Sequence, residues 1–192
     1  MSDVDGSGAG HVDVRDPGEA AGGDASRRVQ RADRLLETVD GQHGQDLFGL
    51  ARRSGLSDDA AEDAVQEALL RLWMEVRAGV DIIDPRAWAF RTLYRIAMDE
   101  HRLRRRAVDL ANRLAQRPWR VPDPDTAQTI SVWQLVDALP TRQRQVLYLR
   151  YKADMTFDQV GTVMGIAPST ARAHATFAAV RLRESIGAEW RE

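Results

Sequence analysis

Apolar residues recur at three- and four-residue steps through most of this chain, and nowhere do they alternate at a two-residue step over the length of a strand. "LLETVDGQHGQDLFGLARRSG" carries Leu35, Leu36, Val39, Leu47, Phe48, Leu50 and Ala51 before a stop at Gly55. "SDDAAEDAVQEALLRLWMEVRAG" follows, with Ala61, Val65, Ala68, Leu69, Leu72, Trp73 and Val76 on one face and Gly79 at its end. Ser57 is the expected N-cap. Asp58, Asp59, Glu62 and Asp63 load the first turns with acid, as the helix dipole favours. A third helix is expected in "DPRAWAFRTLYRIAMDEHRLRRR", with Asp84 as its cap and Pro85 at its first position. "RPWRVPDPDTAQ" is too rich in proline for a packed element. Helical spacing resumes near Thr129, broken at "LPTRQRQ", "ADMTFDQ" and "MGIAPST". The pattern predicts an all-α chain of two small helical domains. A bundle over residues 29–106 and a helix-turn-helix domain over 129–192 are joined by a flexible linker, 107–128. Residues 1–28, rich in Gly, Asp and Ala, are expected to form a disordered tail.

On a wheel of the third helix, Arg91, Arg95, Arg102, Arg105 and Arg106 share one side. Ala89, Leu93, Ile96, Ala97 and Leu103 occupy the other, and Trp88 sits at the margin of the basic face. Guanidinium binds phosphate bidentately and an aromatic plane can hold an unstacked base, so this face suits nucleic acid. A solvated basic face is the competing reading. Near the C-terminus, Val146, Leu147, Leu149 and Tyr151 form a packing set. "TFDQ" then reads as a capping box of Thr156 and Gln159. Phe157, Val160 and Val163 line a short helix, Gly165 supplies a positive-φ turn, Ile166 packs behind it and Pro168 opens a longer helix. Short helix, glycine turn, long helix is the helix-turn-helix order. The early exposed positions of the second helix are Ser169, Thr170, Arg172, Ala173, His174 and Thr176, with Arg181 and Arg183 further along.

The totals exclude more than they assign. The chain has 192 residues, 43% of them hydrophobic, and a formal charge of −2, so overall charge does not point to a polyanion. There is no cysteine, which rules out disulfides, Cys-bound zinc and thiol catalysis and suits a reducing compartment. No apolar run spans a membrane, so a cytoplasmic protein without membrane insertion is expected. His11, His43, His101 and His174 are scattered, no Gly-rich phosphate loop follows a strand, and the acids at 58–63 read as a helix start rather than a metal site. No catalytic residue, metal or cofactor is expected.

"AEDAVQEALLRLW", the arginine-rich third helix and "LP…RQ…VLYLRY…MTFDQVGTVMGI…STARAHATFAAVRLRE" together resemble the extracytoplasmic-function (ECF) sigma factors of the sigma-70 family, over about residues 30–188. The resemblance implies a detachable specificity subunit with core RNA polymerase and promoter DNA as partners and a cognate anti-sigma factor as a candidate third. It implies polymerase contacts at Asp63, Gln66 and Glu67. It places Trp88, Arg91, Arg95, Arg102, Arg105 and Arg106 at the promoter −10 element, and Ser169, Thr170, Arg172, His174, Thr176 and Arg181 at the −35 element. Arg95 stands where the family commonly has asparagine, Phe177 where it has arginine, and Ala171 where it has valine. Ala167 replaces a capping serine worth about 1 kcal/mol. Gly161-Thr162 replaces Ile-Ala, which is expected to loosen the first helix of the motif. These departures predict atypical −35 binding, offset by tethering to polymerase. They also motivate an alternative, a sigma-like interaction protein that binds polymerase or an anti-sigma factor but reads promoters poorly. A free-standing repressor would not need the acidic docking helix.

Overall fold

The computed structural model describes residues 17–115 and 132–189, and the regular structure there is helical. Helix α1 (Pro17–Arg53) begins inside the stretch expected to be a disordered tail, so residues 17–28 are helical instead. The causes are one local pair and contacts made across the fold. Asp24 and Arg28 pair one turn apart at 3.6 Å, Arg31 reaches Asp81 at 2.6 Å, and Ala32 is fully buried. A helix anchored there extends backwards by propagation, which costs far less than nucleation. The remainder of the expected tail, residues 1–16, lies outside the described residues.

Gly55, at φ +94°, turns the chain into α2 (Asp58–Arg77). Ser57 holds the cap position with extended backbone, but its side chain caps nothing. The acidic first turn serves instead, and Asp58 pairs with Arg52 at 2.6 Å. Helix α3 (Pro85–Ala115) starts as expected: Ala87 N–H donates to Asp84 Oδ1 at 2.9 Å. It runs past Arg106 because "RRRAVDLANRLA" contains no Gly or Pro, so the expected linker loses its first part to helix. Residues 116–131, Trp119 among them, lie outside the described residues.

Leu47, Leu50 and Ala51 of α1 meet Ala61, Ala68 and Leu72 of α2 and Ala89, Phe90, Leu93 and Ala97 of α3 in one core. Trp73 is half-buried beside it, its indole N–H donating to Asp33 at 2.8 Å. Leu103, expected on the packing side, is 59% exposed.

The C-terminal unit holds α4 (Val132–Asp137), α5 (Thr141–Leu147), a π turn (Tyr148–Lys152), α6 (Phe157–Met164) and α7 (Pro168–Glu189). Its core is Val146, Leu149, Met155, Val160, Val163, Ala171, Ala175 and Ala178. The wide π turn shifts the register, so Tyr148 is buried and Tyr151, expected inside, is exposed. The capping box forms as read: Gln159 N–H donates to Thr156 Oγ1 at 3.2 Å, and Thr156 N–H donates to Gln159 Oε1 at 2.9 Å. Gly165 takes φ +66°. Gly161 has a role that the sequence did not show. A Cβ there would stand 2.7 Å from the Ile166 carbonyl oxygen. The glycine lets the turn fold tightly onto its own helix.

The two units pack against each other through a largely polar seam. Gln145 Nε2 donates to Ser54 Oγ at 2.9 Å, both residues fully buried. Arg144 Nε donates to the Arg53 carbonyl at 2.9 Å, and burial lowers the pKa of this guanidinium. The Arg53 guanidinium lies over Tyr148 at 4.7 Å and over Trp133 at 5.2 Å. Gly49 leaves room for the Tyr148 ring, whose phenol is raised in pKa first by burial and then by Asp46. Arg86 of α3 donates to the Ala153 carbonyl after the π turn.

Candidate nucleic-acid interface

Because α3 buries Ala89, Phe90, Leu93 and Ala97, its other side must face outward. Arg91, Arg95, Arg102 and Arg106 are exposed along that side, and Trp88 is half-buried against the core at its start. The structure therefore brings the predicted stripe together. Arg102 pairs with Asp99 at 3.1 Å, an exposed contact that contributes little. The side chain of Arg105 lies outside the described residues.

The stripe does not face open solvent throughout. The turn of the helix-turn-helix stands beside Arg91, where Gly161, Gly165 and Pro168 help line a cavity of about 530 Å³. Further along, Arg95 and Arg102 line a cavity of about 770 Å³ opposite Arg142, Gln145 and Gly165. Arg142 bridges the gap by donating to the Tyr94 hydroxyl at 3.3 Å, and burial raises the pKa of that phenol.

On α7, Ala171, Ala175 and Ala178 point inward, so Ser169, Thr170, Arg172, Thr176 and Arg181 are exposed and His174 is half-buried at the margin. The Arg172 guanidinium lies 5.6 Å from the Phe157 ring. Thr176 Oγ1 donates to the Arg172 carbonyl at 3.0 Å. Helix α7 is thus presented as a second helix of a helix-turn-helix must be, with its early polar positions outward.

Asp63, Gln66 and Glu67 are exposed on α2. Asp63 and Glu67 also line a groove of about 370 Å³ between α2 and α3, facing Arg95 and Leu103. The same outward line continues through Leu70, 55% exposed, and Met74, 56% exposed. Neither was expected from the sequence. A wheel places them at seven and eleven residues from Asp63, on its face, and that spacing was the signal for them. Acid around an apolar strip is how protein-contact surfaces are built, with charge at the rim. Among the described residues, no group of three acids or histidines could hold a metal ion.

Two family models match this sequence: Sigma-70 region 2 over residues 41–107 and Sigma-70, region 4, over residues 135–184. The chain is 29% identical to the ECF RNA polymerase sigma factor SigL of Mycobacterium tuberculosis, over 78% of this chain and 87% of that protein. It is 24% identical to the RNA polymerase sigma factor SigV of Bacillus subtilis, over 76% of this chain and 87% of that one. The fold resembles the sigma factor RpoE of Bartonella quintana, solved with the anti-sigma factor NepR, at a TM-score of 0.59 and 20% identity, covering 82% of this chain and 95% of that chain. It also resembles CnrH, solved with the cytosolic domain of CnrY, at a TM-score of 0.56 and 23% identity, covering 85% of this chain and 95% of that chain.

Proposed function

The chain belongs to the sigma-70 family as an extracytoplasmic-function RNA polymerase sigma factor, and on that premise we propose how its surfaces divide the work. A sigma factor directs core polymerase to promoters and promotes initiation. The observation that carries the assignment of surfaces is their make-up: one acidic and apolar face on α2, one arginine stripe on α3 that adjoins it at Arg95, and one outward face on α7.

The unit α1–α3 binds the polymerase clamp through Asp63, Gln66 and Glu67, with Leu70 and Met74 as the apolar part of the contact. The stripe of Trp88, Arg91, Arg95, Arg102, Arg105 and Arg106 takes the opened −10 strand, where phosphate charge and base stacking act together. The unit α4–α7 reads the −35 element through α7. Chemistry on bonds belongs to polymerase, and this chain contributes specificity without catalysis or a cofactor. No described helix is long and apolar enough to cross a membrane, and the workplace is the cytoplasm, with the polymerase. By likeness to RpoE, an anti-sigma factor is a further partner.

Both DNA surfaces cannot be engaged in the closed arrangement. The −10 and −35 elements are centred about 25 base pairs apart, roughly 85 Å of B-form DNA at 3.4 Å per base pair. Here the turn preceding α7 lies against α3. The two units part when promoter binds.

The docking assignment is tested by Asp63→Lys with Glu67→Lys. Both residues are exposed, so the fold is retained, and circular dichroism checks this. Capture of core polymerase by the variant falls roughly tenfold or more, because the reversal removes two acids from the proposed docking face and puts two cations in their place. Unchanged capture removes α2 as the docking face.

A further inference from the structure

The outward face of α7 has an apolar centre. With Ala171, Ala175 and Ala178 buried, the side directly opposite carries Ala173, Phe177 and Val180, and Phe177 is 61% exposed while Val180 is 45% exposed. A large aromatic ring held in water on an otherwise charged surface calls for an occupant. The surroundings say which kind. Arg172, Arg181 and Arg183 flank the strip and are exposed, and Glu184 is the one acid between Pro168 and Ser185. That charge suits a polyanion rather than an apolar protein surface. Two of the polar side chains have partners within the protein: Thr176 donates its hydroxyl proton within the helix, and Arg172 leans over Phe157. Beside the polar positions that stay outward, Ser169 and Thr170, with His174 at the margin, the strip offers contact through apolar groups. In the major groove only one base presents an apolar group, the C5 methyl of thymine.

We propose that Phe177, together with Ala173, selects thymine in the −35 element by packing against its C5 methyl group. This rests on the reading that α7 lies in the major groove. Helical side chains lean toward the N-terminus, so the Phe177 ring covers the turn occupied by Ala173, where recognition helices meet base edges. The small Ala173 leaves room for the ring and a methyl to meet. Arg172, Arg181 and Arg183 hold the phosphates on either side and supply affinity without sequence information.

The test uses holoenzyme assembled from core polymerase and the full chain. A duplex promoter is recovered by selection on a library with a randomised −35 segment, and its −35 thymines are then replaced by deoxyuridine, which removes the methyl and nothing else. Selected sites carry thymine at a fixed −35 position, and deoxyuridine there weakens binding about fivefold per methyl removed. Phe177→Ala weakens binding to the thymine duplex by a similar factor and binds thymine and deoxyuridine duplexes equally. Arg172→Ala weakens both duplexes alike. Equal binding of the two duplexes by the unaltered protein overturns the proposal, and if Arg172→Ala still weakens binding, α7 remains the −35 reader. If neither Arg172→Ala nor Phe177→Ala changes DNA binding, the groove assignment falls and the proposal with it. A Phe177→Ala defect in capturing a protein partner, with the methyl dependence of DNA binding intact in the variant, also overturns it.

Discussion

Arg91→Glu combined with Arg95→Glu abolishes promoter opening while the protein still assembles with core polymerase. Both residues are exposed on the side of α3 opposite Phe90 and Leu93, so neither substitution disturbs the core. Each arginine in contact with a phosphate releases counterions on binding, and each glutamate in its place adds repulsion. The pair lowers the yield of open complex about 100-fold or more at moderate salt. The slope of log affinity against log salt flattens by about two, one for each phosphate no longer neutralised. Permanganate footprinting of unpaired thymines reads the opening, and a gel-shift with core polymerase reads assembly. Opening at the unaltered level removes α3 as the −10 helix. Arg95→Asn separates charge from selection, since the family commonly carries asparagine there. It shifts which −10 base is accepted while retaining most of the opening.

Gln145→Leu holds the two units together and weakens promoter binding. Gln145 is fully buried at the seam, and although its Nε2 donates to Ser54, no protein group pairs with its Oε1. A buried acceptor left without a partner costs about 1–3 kcal/mol and leucine removes that cost, against about 1 kcal/mol for the bond to Ser54 that is lost with the amide. Ser54 keeps its own bond to the Leu50 carbonyl at 2.8 Å, so the substitution strands no donor on the other side. The closed population rises by up to about 30-fold relative to the open one, for a net gain of up to about 2 kcal/mol. Promoter affinity falls by the same factor, because only the open fraction binds. Energy transfer between dyes on α2 and α7 reports the separation, and holoenzyme titration of promoter duplex reports the affinity. Tighter closure with unchanged affinity would show that promoter binding does not require the units to part. A seam built of hydrogen bonds and guanidinium–ring contacts suits this role, since water replaces such contacts more readily than it replaces a dry apolar interface.

What the sequence made legible was what short-range chemistry decides. The Asp84–Pro85 start, the Thr156–Gln159 capping box, the positive φ of Gly165 and the Pro168 start each follow from residues within four positions of one another. Those signals placed α3, α6 and α7, and with them most of the candidate site. What escaped was set by tertiary contact. Tyr148 is inside and Tyr151 outside because a π turn resets the periodicity where α5 meets α1. Ser54 and Gln145 meet across the seam from distant parts of the chain, which no local pattern encodes. Gly161 read as a weak helix residue because its neighbour, the Ile166 carbonyl, arrives only once the turn has closed. The start of α1 read as a tail because the contacts that hold it, such as Arg31 with Asp81, come from beyond α2.

Run-off transcription with purified core polymerase bears most directly on the protein as a sigma factor. Core polymerase alone and polymerase with the full chain are compared on a library of promoter-length templates, and the start sites are mapped. A sigma factor gives discrete transcripts that depend on the added chain and share upstream −10 and −35 sequences. Polymerase binding with no chain-dependent transcript from any template would contradict that function.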